Sequence, residues 1–352
     1  MYEIFREFPL HISLSGITEE RLESIGVKSV GRVSDISVVG FTEVLPALRR
    51  IRRVYREAVK ELGSCDVFIA CDAPGFNLRL IKEARKVGVR KVIYFISPQV
   101  WAWKPSRART VARYCDDLVV ILPFEVGIYR KLTSSSFRVH YVGHPLVDMV
   151  SPSVPEGEFI KRVGLGEKFI NLMPGSRWGE IKRHAPLLKE VMERVEGFEF
   201  VVPSFERFRG YLSDALGVRV VTPEELPYPS YCCMAYSEIS LIASGTASLE
   251  AALLLNPHVV FYKVNPLTYV VAKALVRVPH VSLPNLILGG RVVPEVINGG
   301  VGEVVREMER LIYDEGRRRE QVERFAELRE KLGGKGVIGR LRELFAELLT
   351  RY

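Results

Sequence analysis

The feature that most restricts this chain is an alternation of short, continuously apolar segments with longer stretches of helical spacing. "CDVFIAC" (residues 65–71) leads into helix-like "NLRLIKEARKVG"; then come "KVIYFIS", a helical segment, "DDLVVIL", another helical segment and "RVHYVG". A strand that is apolar on both sides of its pleat is covered on both faces, and strands that alternate with helices pair in parallel. Residues 145–158, "PLVDMVSPSVPEGE", are rich in proline and small polar residues and read as a linker. After them the pattern restarts with "KFINLM", "FEFVVP", "VRVVTP", "EISLIAS" and "PHVVFY". The sequence therefore predicts an α/β protein of two facing, Rossmann-like, doubly wound domains, residues 1–148 and 159–330. Residues 331–352, helical, charged and broken at "GGKG", are a candidate to pack back on the first domain. A length of 352 residues agrees with more than one core.

Composition narrows the partners. A formal charge of +8 favours anions: nucleic acid, phosphorylated small molecules or an acidic membrane face, with charge alone not choosing among them. No recognisable nucleic-acid-binding motif accompanies the charge, so nucleic acid is not expected. The five cysteines form neither a C-x-x-C pair nor a disulfide framework, which fits a reducing cytoplasm. "MYEIFREFPL" has no basic start, apolar middle and small-residue cleavage site of the signal-peptide kind. The longest apolar region, residues 267–288, is interrupted by Lys273, Arg277 and prolines, so it is not read as a membrane span.

In open parallel sheets, ligands sit beyond the carboxyl ends of the strands, and the residues there carry the functional reading. In "CDVFIACDAPGFN" a strand delivers Asp72, which is either a general base facing a cleft or a turn and cap residue. In "FINLMPGSRWGEI" the small residues Pro174, Gly175 and Ser176 let a backbone approach an anion, and Arg177 adds a positive fork, an arrangement suited to a diphosphate or simply a turn. In "EISLIASGTASLEAALLL" the loop Ser244, Gly245 and Thr246 repeats that design. Glu250 is the only charge between Ala247 and Leu255; it lies four residues beyond Thr246 on the same helical face, and its side chain leans back toward the loop. Paired ribose hydroxyls would satisfy it, or it is a lone surface glutamate. "HVSLPNLILGGRVVPEVING" adds Asn285 and Glu295, which say little alone. His144, in "YVGHPLVD", is either an interdomain hydrogen-bonding group or structural.

No phosphate-binding P-loop, G-x-G-x-x-G, H-E-x-x-H or D-x-D occurs, and neither metal nor cofactor is expected. Two further stretches suggest surfaces. In "FTEVLPALRRIRRVYREAVKEL" the apolar residues Phe41, Val44, Leu45 and Leu48 follow helical spacing while Arg49 and Arg52 fill other faces. Such a helix either inserts into an anionic bilayer surface or packs its stripe on a core. In "YFISPQVWAWKPSRAR", Gln99, Trp101 and Trp103 line the end of a strand before a basic turn. If the segment stays extended both tryptophans point to one side, as a wall for sugar or acyl chain, or as a brace for the loop.

Taken in order, "DAPGFN", "SPQVWAW", "LPFE", "VGHPLVD", "PGSR", "ASGTASLE" and "SLPN" resemble the motifs of the lipid-A-disaccharide synthases, over residues 38–295 at least. The resemblance implies the glycosyltransferase B architecture and an inverting transfer of 2,3-diacylglucosamine from its UDP derivative to 2,3-diacylglucosamine 1-phosphate, releasing UDP. It implies Asp72 as the base for the acceptor hydroxyl, Arg177 near the diphosphate, Ser176, Ser244, Gly245, Thr246 and Glu250 around UDP, and Asn285 as a residue needed for activity. Gln99, Trp101 and His144 join the substrate-binding set. Acylated substrates imply a peripheral enzyme on anionic lipids at the cytoplasmic face of a Gram-negative inner membrane.

One departure stands out. The family begins with a strand running into a Gly-Glu-x-Ser-Gly-Asp loop, which this chain does not contain. "LHISLSG" reads as the second strand, and a missing central strand would leave the ladder groups of two neighbours unpaired. Weak or no turnover is the expectation that follows. The rival readings are another UDP-sugar glycosyltransferase or epimerase of this fold, and a non-catalytic peripheral membrane protein.

Overall fold

The computed structural model describes residues 1–36, 44–243, 245–264 and 278–351. Their contacts divide the chain into two compact units, Met1–Pro145 with Lys335–Tyr352, and Leu146–Gly334.

In the first unit, β1 (Ser15–Thr18) and β2 (Lys28–Arg32) pair in parallel as a two-stranded sheet. The strand expected at "LHISLSG" starts only at Ser15, because β2 begins at Lys28, whose N–H reaches back no further than the Leu14 carbonyl at 2.9 Å. Ile12, outside the ladder, is exposed. The helix α1 (Val44–Leu62) then leads to a second sheet, in which β3 (Val67–Cys71), β4 (Lys91–Phe95), β5 (Asp117–Val120) and β6 (Arg138–Tyr141) lie side by side in chain order, all parallel. Every residue of β4 is buried, as a strand covered on both faces must be. Among the described residues β3 has β4 as its one ladder partner. The helix α2 (Pro74–Lys86) follows β3, and Tyr55 of α1 meets its Phe76 edge-on at 5.7 Å. Gly31 allows β2 to approach α1: a Cβ there would stand 2.8 Å from a Val54 methyl.

Buried charge ties the end of the chain to this unit. Lys91, 3% exposed, donates from Nζ to the Leu348 carbonyl at 2.6 Å and the Arg351 carbonyl at 3.2 Å, so it neutralises the carbonyl end of the last helix, Val337–Thr350. It also lies 3.4 Å from Asp117, which receives hydrogen bonds from Arg138 and His140. Burial alone would raise the Asp117 carboxyl; the hydrogen bonds from His140 and Arg138 and the charge on Lys91 take it down to about 2. Phe345 packs against Phe5 and Phe95, and Arg342 donates to the carbonyls of Glu3 and Ile4.

The second unit is one six-stranded parallel sheet: β7 (Phe169–Met173), β8 (Glu199–Pro203), β9 (Arg219–Val221), β10 (Ile239–Ala243), β11 (His258–Tyr262) and β12 (Glu295–Ile297). Their spatial order is β12-β11-β10-β7-β8-β9, so the first strand is central and the chain reverses its winding between β7 and β10. That reversal opens a crevice at the carboxyl ends of those two strands.

Lys91→Met removes the cation that satisfies two carbonyls and one buried carboxylate. The variant is expected to lose roughly 3 kcal/mol of stability and to show early hydrogen exchange in the last helix, read by thermal melting and amide exchange. Wild-type values for both would mean that the network carries no net stability.

Candidate functional site

Two loops meet at the switch point of the second unit. Met173 ends β7, and Pro174, Gly175 and Ser176 turn the chain into α4 (Trp178–Met192), numbered after the short helix α3 (Glu125–Tyr129) of the first unit, with Arg177 at its N-cap. Gly175 adopts φ +113°, where an L side chain is strained, and a Cβ there would stand 2.7 Å from Glu180 Oε2. The Ser176 N–H donates to Glu180 Oε2 at 3.1 Å, and Arg177 Nη1 donates to Glu180 Oε1 at 3.1 Å. The loop thus already holds an anion, the carboxylate of its own helix. Arg177 is otherwise open to solvent, its side chain 79% exposed. His184, buried beneath, bonds to the Pro174 carbonyl through Nδ1 and accepts from the Lys263 N–H at Nε2, which pins the loop to the end of β11.

The neighbouring loop follows β10. Ser244 lies outside the described residues. Gly245, at φ +139°, caps α6 (Thr246–Leu253), and Gly245 and Thr246 are exposed. Ser248 bonds to His258 Nε2 at 2.8 Å while His258 Nδ1 bonds to the Asn256 carbonyl, so α6 is fixed to β11. Burial pulls the His258 ring down to about 4, which disfavours its charged form. Burial also raises the Glu250 carboxyl above its ordinary range, and the Tyr231 hydroxyl of α5 (Pro229–Tyr236) lies 3.4 Å from it.

Asn285 is placed differently from the sequence reading. It is fully buried; its Nδ2 donates to the Val293 carbonyl and Glu295, and its Oδ1 accepts from the N–H groups of Val292 and Val293. A side-chain amide has two donor hydrogens and two acceptor lone pairs. All are used, so in this structure Asn285 braces residues 281–295 and has no hydrogen bond to spare for a reacting group.

In the first unit, three strand ends carry the candidates. Asp72 and Ala73 follow β3 with φ +44° and +39°. The Asp72 carbonyl accepts from the Tyr94 hydroxyl at 2.8 Å and from Asn77 Nδ2 at 2.9 Å, which holds the strained turn and leaves the carboxylate toward solvent. Desolvation by the surrounding protein raises the Asp72 carboxyl; the Ala73 N–H offsets part of this. After β4, Ile96 is again at positive φ, +65°, an outlier for a β-branched residue.

The following segment does not stay extended. The N–H groups of Ala102 and Trp103 both donate to the Gln99 carbonyl, making a turn that separates the two tryptophans. Trp101 packs edge-on against Phe124 at 5.5 Å, whereas Trp103 is exposed with Lys104 and Arg107 over its ring. Gln99 is exposed and His144 buried, with the His144 ring depressed by burial to about 4.

Sequence reasoning missed what holds this region. Glu125, 2% exposed, accepts from the Leu122 N–H at 3.1 Å, and Ser97 and Tyr129 share a hydrogen bond of 2.9 Å. Burial pushes the Glu125 carboxyl up to about 7, against the backbone N–H groups of Leu122 and Ile121 and the nearby Trp101 and Ser97. Trp101 Nε1 is itself buried without a hydrogen bond of normal geometry. The only sequence signal was the glutamate of "LPFE".

The basic helix splits in two. Val54, Tyr55, Ala58 and Leu62 face the core, so the lower half of the stripe is not a free face. Leu48, 41% exposed, stands with Arg49 and Arg52 toward solvent. Phe41 and Thr42, and the side chains of Val44 and Leu45, lie outside the described residues. No described helix is long and apolar enough to cross a membrane.

Comparison with known proteins adds a family. A model described as lipid-A-disaccharide synthetase matches residues 1–346. A lipid-A-disaccharide synthase of Aquifex aeolicus is 49% identical over 350 residues, 99% of this chain and 96% of that protein. One of a Sulfurihydrogenibium species is 36% identical, covering 96% of this chain and 92% of its own. Among solved structures, Staphylococcus aureus MnaA with UDP aligns with a TM-score of 0.64 at 13% identity, covering 100% of this chain and 93% of its own. Anabaena Alr3699/HepE with UDP and glucose aligns at 0.58 and 11%, covering 100% and 95%. These structural likenesses bear on the fold alone: two Rossmann-like domains.

A carboxyl raised from its unfolded value near 4.5 to about 7 adds stability that is complete below pH 4.5 and is lost as pH rises through 7. Glu125→Gln keeps an acceptor for Leu122 and does not titrate. Between pH 5 and pH 8 the variant is expected to gain about 2.5 kcal/mol relative to wild type, measured by denaturant titration at both pH values. A difference independent of pH would show that Glu125 is ionised throughout.

Proposed function

The chain belongs to the lipid-A-disaccharide synthase family, a family of hexosyltransferases, and from that membership we propose how its residues divide the reaction. The reaction condenses UDP-2,3-diacylglucosamine with 2,3-diacylglucosamine 1-phosphate and releases UDP. Identity of 49% over nearly the whole chain favours this over the epimerase and other UDP-sugar readings, to which the likeness is one of fold.

The acceptor's proton falls to the first unit. Asp72, held by its own backbone carbonyl while its carboxylate reaches solvent, takes the proton of the acceptor hydroxyl as its oxygen attacks the anomeric carbon from the side opposite UDP. The raised carboxyl is a stronger base than an ordinary aspartate. Attack from the opposite side inverts the anomeric centre and gives the β-linked product.

The departing nucleotide falls to the second unit. The N–H groups of the exposed residues Gly245 and Thr246 at the start of α6 and the solvent-facing guanidinium of Arg177 take up the charge that develops on the diphosphate, and Glu250 receives the ribose hydroxyls. A diphosphate at Ser176 takes the place of the Glu180 carboxylate. The observation that carries this assignment is the strand order, which sets both small-residue loops side by side at the switch point. Asn285 acts on the reaction only by bracing its loop.

Acylated substrates require work at a lipid surface. Leu48, Arg49 and Arg52, exposed near the start of α1, support contact with anionic lipids of the cytoplasmic face of a Gram-negative inner membrane. Trp103 with Lys104 and Arg107 supports an acceptor-side contact for sugar or phosphate.

With the two acylated substrates, Asp72→Asn is expected to lower kcat by about 100- to 10,000-fold while calorimetry shows unaltered UDP binding. The wild-type kcat/KM falls as pH drops through the Asp72 ionisation, with a midpoint above the usual carboxylate value of about 3.9. Retained turnover in the variant removes Asp72 from its role; absence of UDP binding to the wild-type chain removes the nucleotide assignment.

A further inference from the structure

Beside Glu250 stands a pair of aromatic rings that the reading above leaves without a role. Tyr228 and Tyr231 are stacked, with centroids 5.6 Å apart and planes inclined by 10°. Tyr231 is the inner member, and its hydroxyl lies 3.4 Å from Glu250 Oε1. Tyr228 is the outer member and is 51% exposed, an unusual position for a large aromatic ring.

The backbone makes the placement costly. Tyr228 caps α5 with φ +50° and ψ +55°, the left-handed region that bulky residues avoid and that glycine or asparagine adopts at lower cost. Pro229 at the next position starts the helix and fixes where it begins, so the strained residue is the one that aims the ring. A chain that needed only a helix start here would not need this ring in this conformation.

We propose that Tyr228, backed by Tyr231, is the stacking platform for the nucleobase of the donor. This rests on the assignment of Glu250 to the ribose. The base is bonded directly to that ribose, so it must lie within one sugar's width of the Glu250 carboxylate, and the neighbouring aromatic surface is the Tyr231–Tyr228 stack. Tyr231 links the two functions: its hydroxyl touches the group that holds the sugar, and its ring supports the one that receives the base. A π-face accepts any base, so the platform supplies affinity and orientation for a flat heterocycle; discrimination of uracil from other bases falls to its edges.

UDP without sugar or acyl chains isolates this contact. Calorimetric titration of the full chain with UDP is expected to give a dissociation constant about tenfold weaker for Tyr228→Ala and nearly unchanged for Tyr228→Phe, which keeps the ring. Saturation transfer from aromatic protons to the uracil protons is expected in wild type and Tyr228→Phe and lost in Tyr228→Ala. Thermal melting of the three proteins without ligand checks that each is folded. UDP binding to Tyr228→Ala with wild-type affinity overturns the platform and leaves the ribose assignment standing, as does equal weakening by Ala and Phe, which would point to the hydroxyl. If Glu250→Ala binds UDP as tightly as wild type, the ribose assignment fails and takes this proposal with it.

Discussion

A parallel sheet covered on both faces must point all its strands the same way, and so it gathers every strand's carboxyl end on one edge. In the second unit that constraint, with β7 at the centre, places the turns after β7 and β10 together. Both turns then need small residues, because each has to leave its strand and start a helix within a few positions. Gly175 and Gly245 sit at positive φ for this reason. The helix starts that result therefore lie at the ends of adjacent strands, and at the first of them the Ser176 N–H already holds the Glu180 carboxylate.

The first unit meets the same constraint with different residues. The ends of β3 and β4 are turned by Asp72, Ala73 and Ile96, none of them glycine and all at positive φ. The strain is offset by polar side chains that fasten the turns: Tyr94 and Asn77 hold the Asp72 carbonyl, and Ser97 shares a bond with Tyr129. A buried acid, Glu125, closes the turn after β5. The strained turn and the hydrogen bonds on its carbonyl hold the Asp72 backbone in one place, where a relaxed turn would let it move.

Much of this was legible in the order of residues. Strands such as "KVIYF" and "ISLIA" announce themselves because a segment buried on both faces has no polar position to confuse it. Glu250 was visible because an isolated charge in an apolar helix needs a partner. What could not be read depends on backbone angles and on partners distant in sequence. The saturation of Asn285 is set by residues 292–295, which the motif around it does not mention. The separation of Trp101 from Trp103 follows from one carbonyl, that of Gln99, accepting two N–H groups. The strain at Tyr228 has no compositional signal at all, since tyrosine is usual in helices and strands and rare only at that φ. The start of β1 at Ser15 was set by where its partner begins.

The carboxylate of Glu180 on the Ser176 N–H has a consequence for selectivity. A tethered anion competes at an effective concentration of order millimolar or above, so a free phosphate ion arriving at the turn must evict a rival that never diffuses away. An ion with a single foothold loses that contest. Under the nucleotide assignment proposed above, a ligand gripped also at its sugar and base would win it, and once the bond from sugar to diphosphate breaks the waiting carboxylate would compete for the turn again.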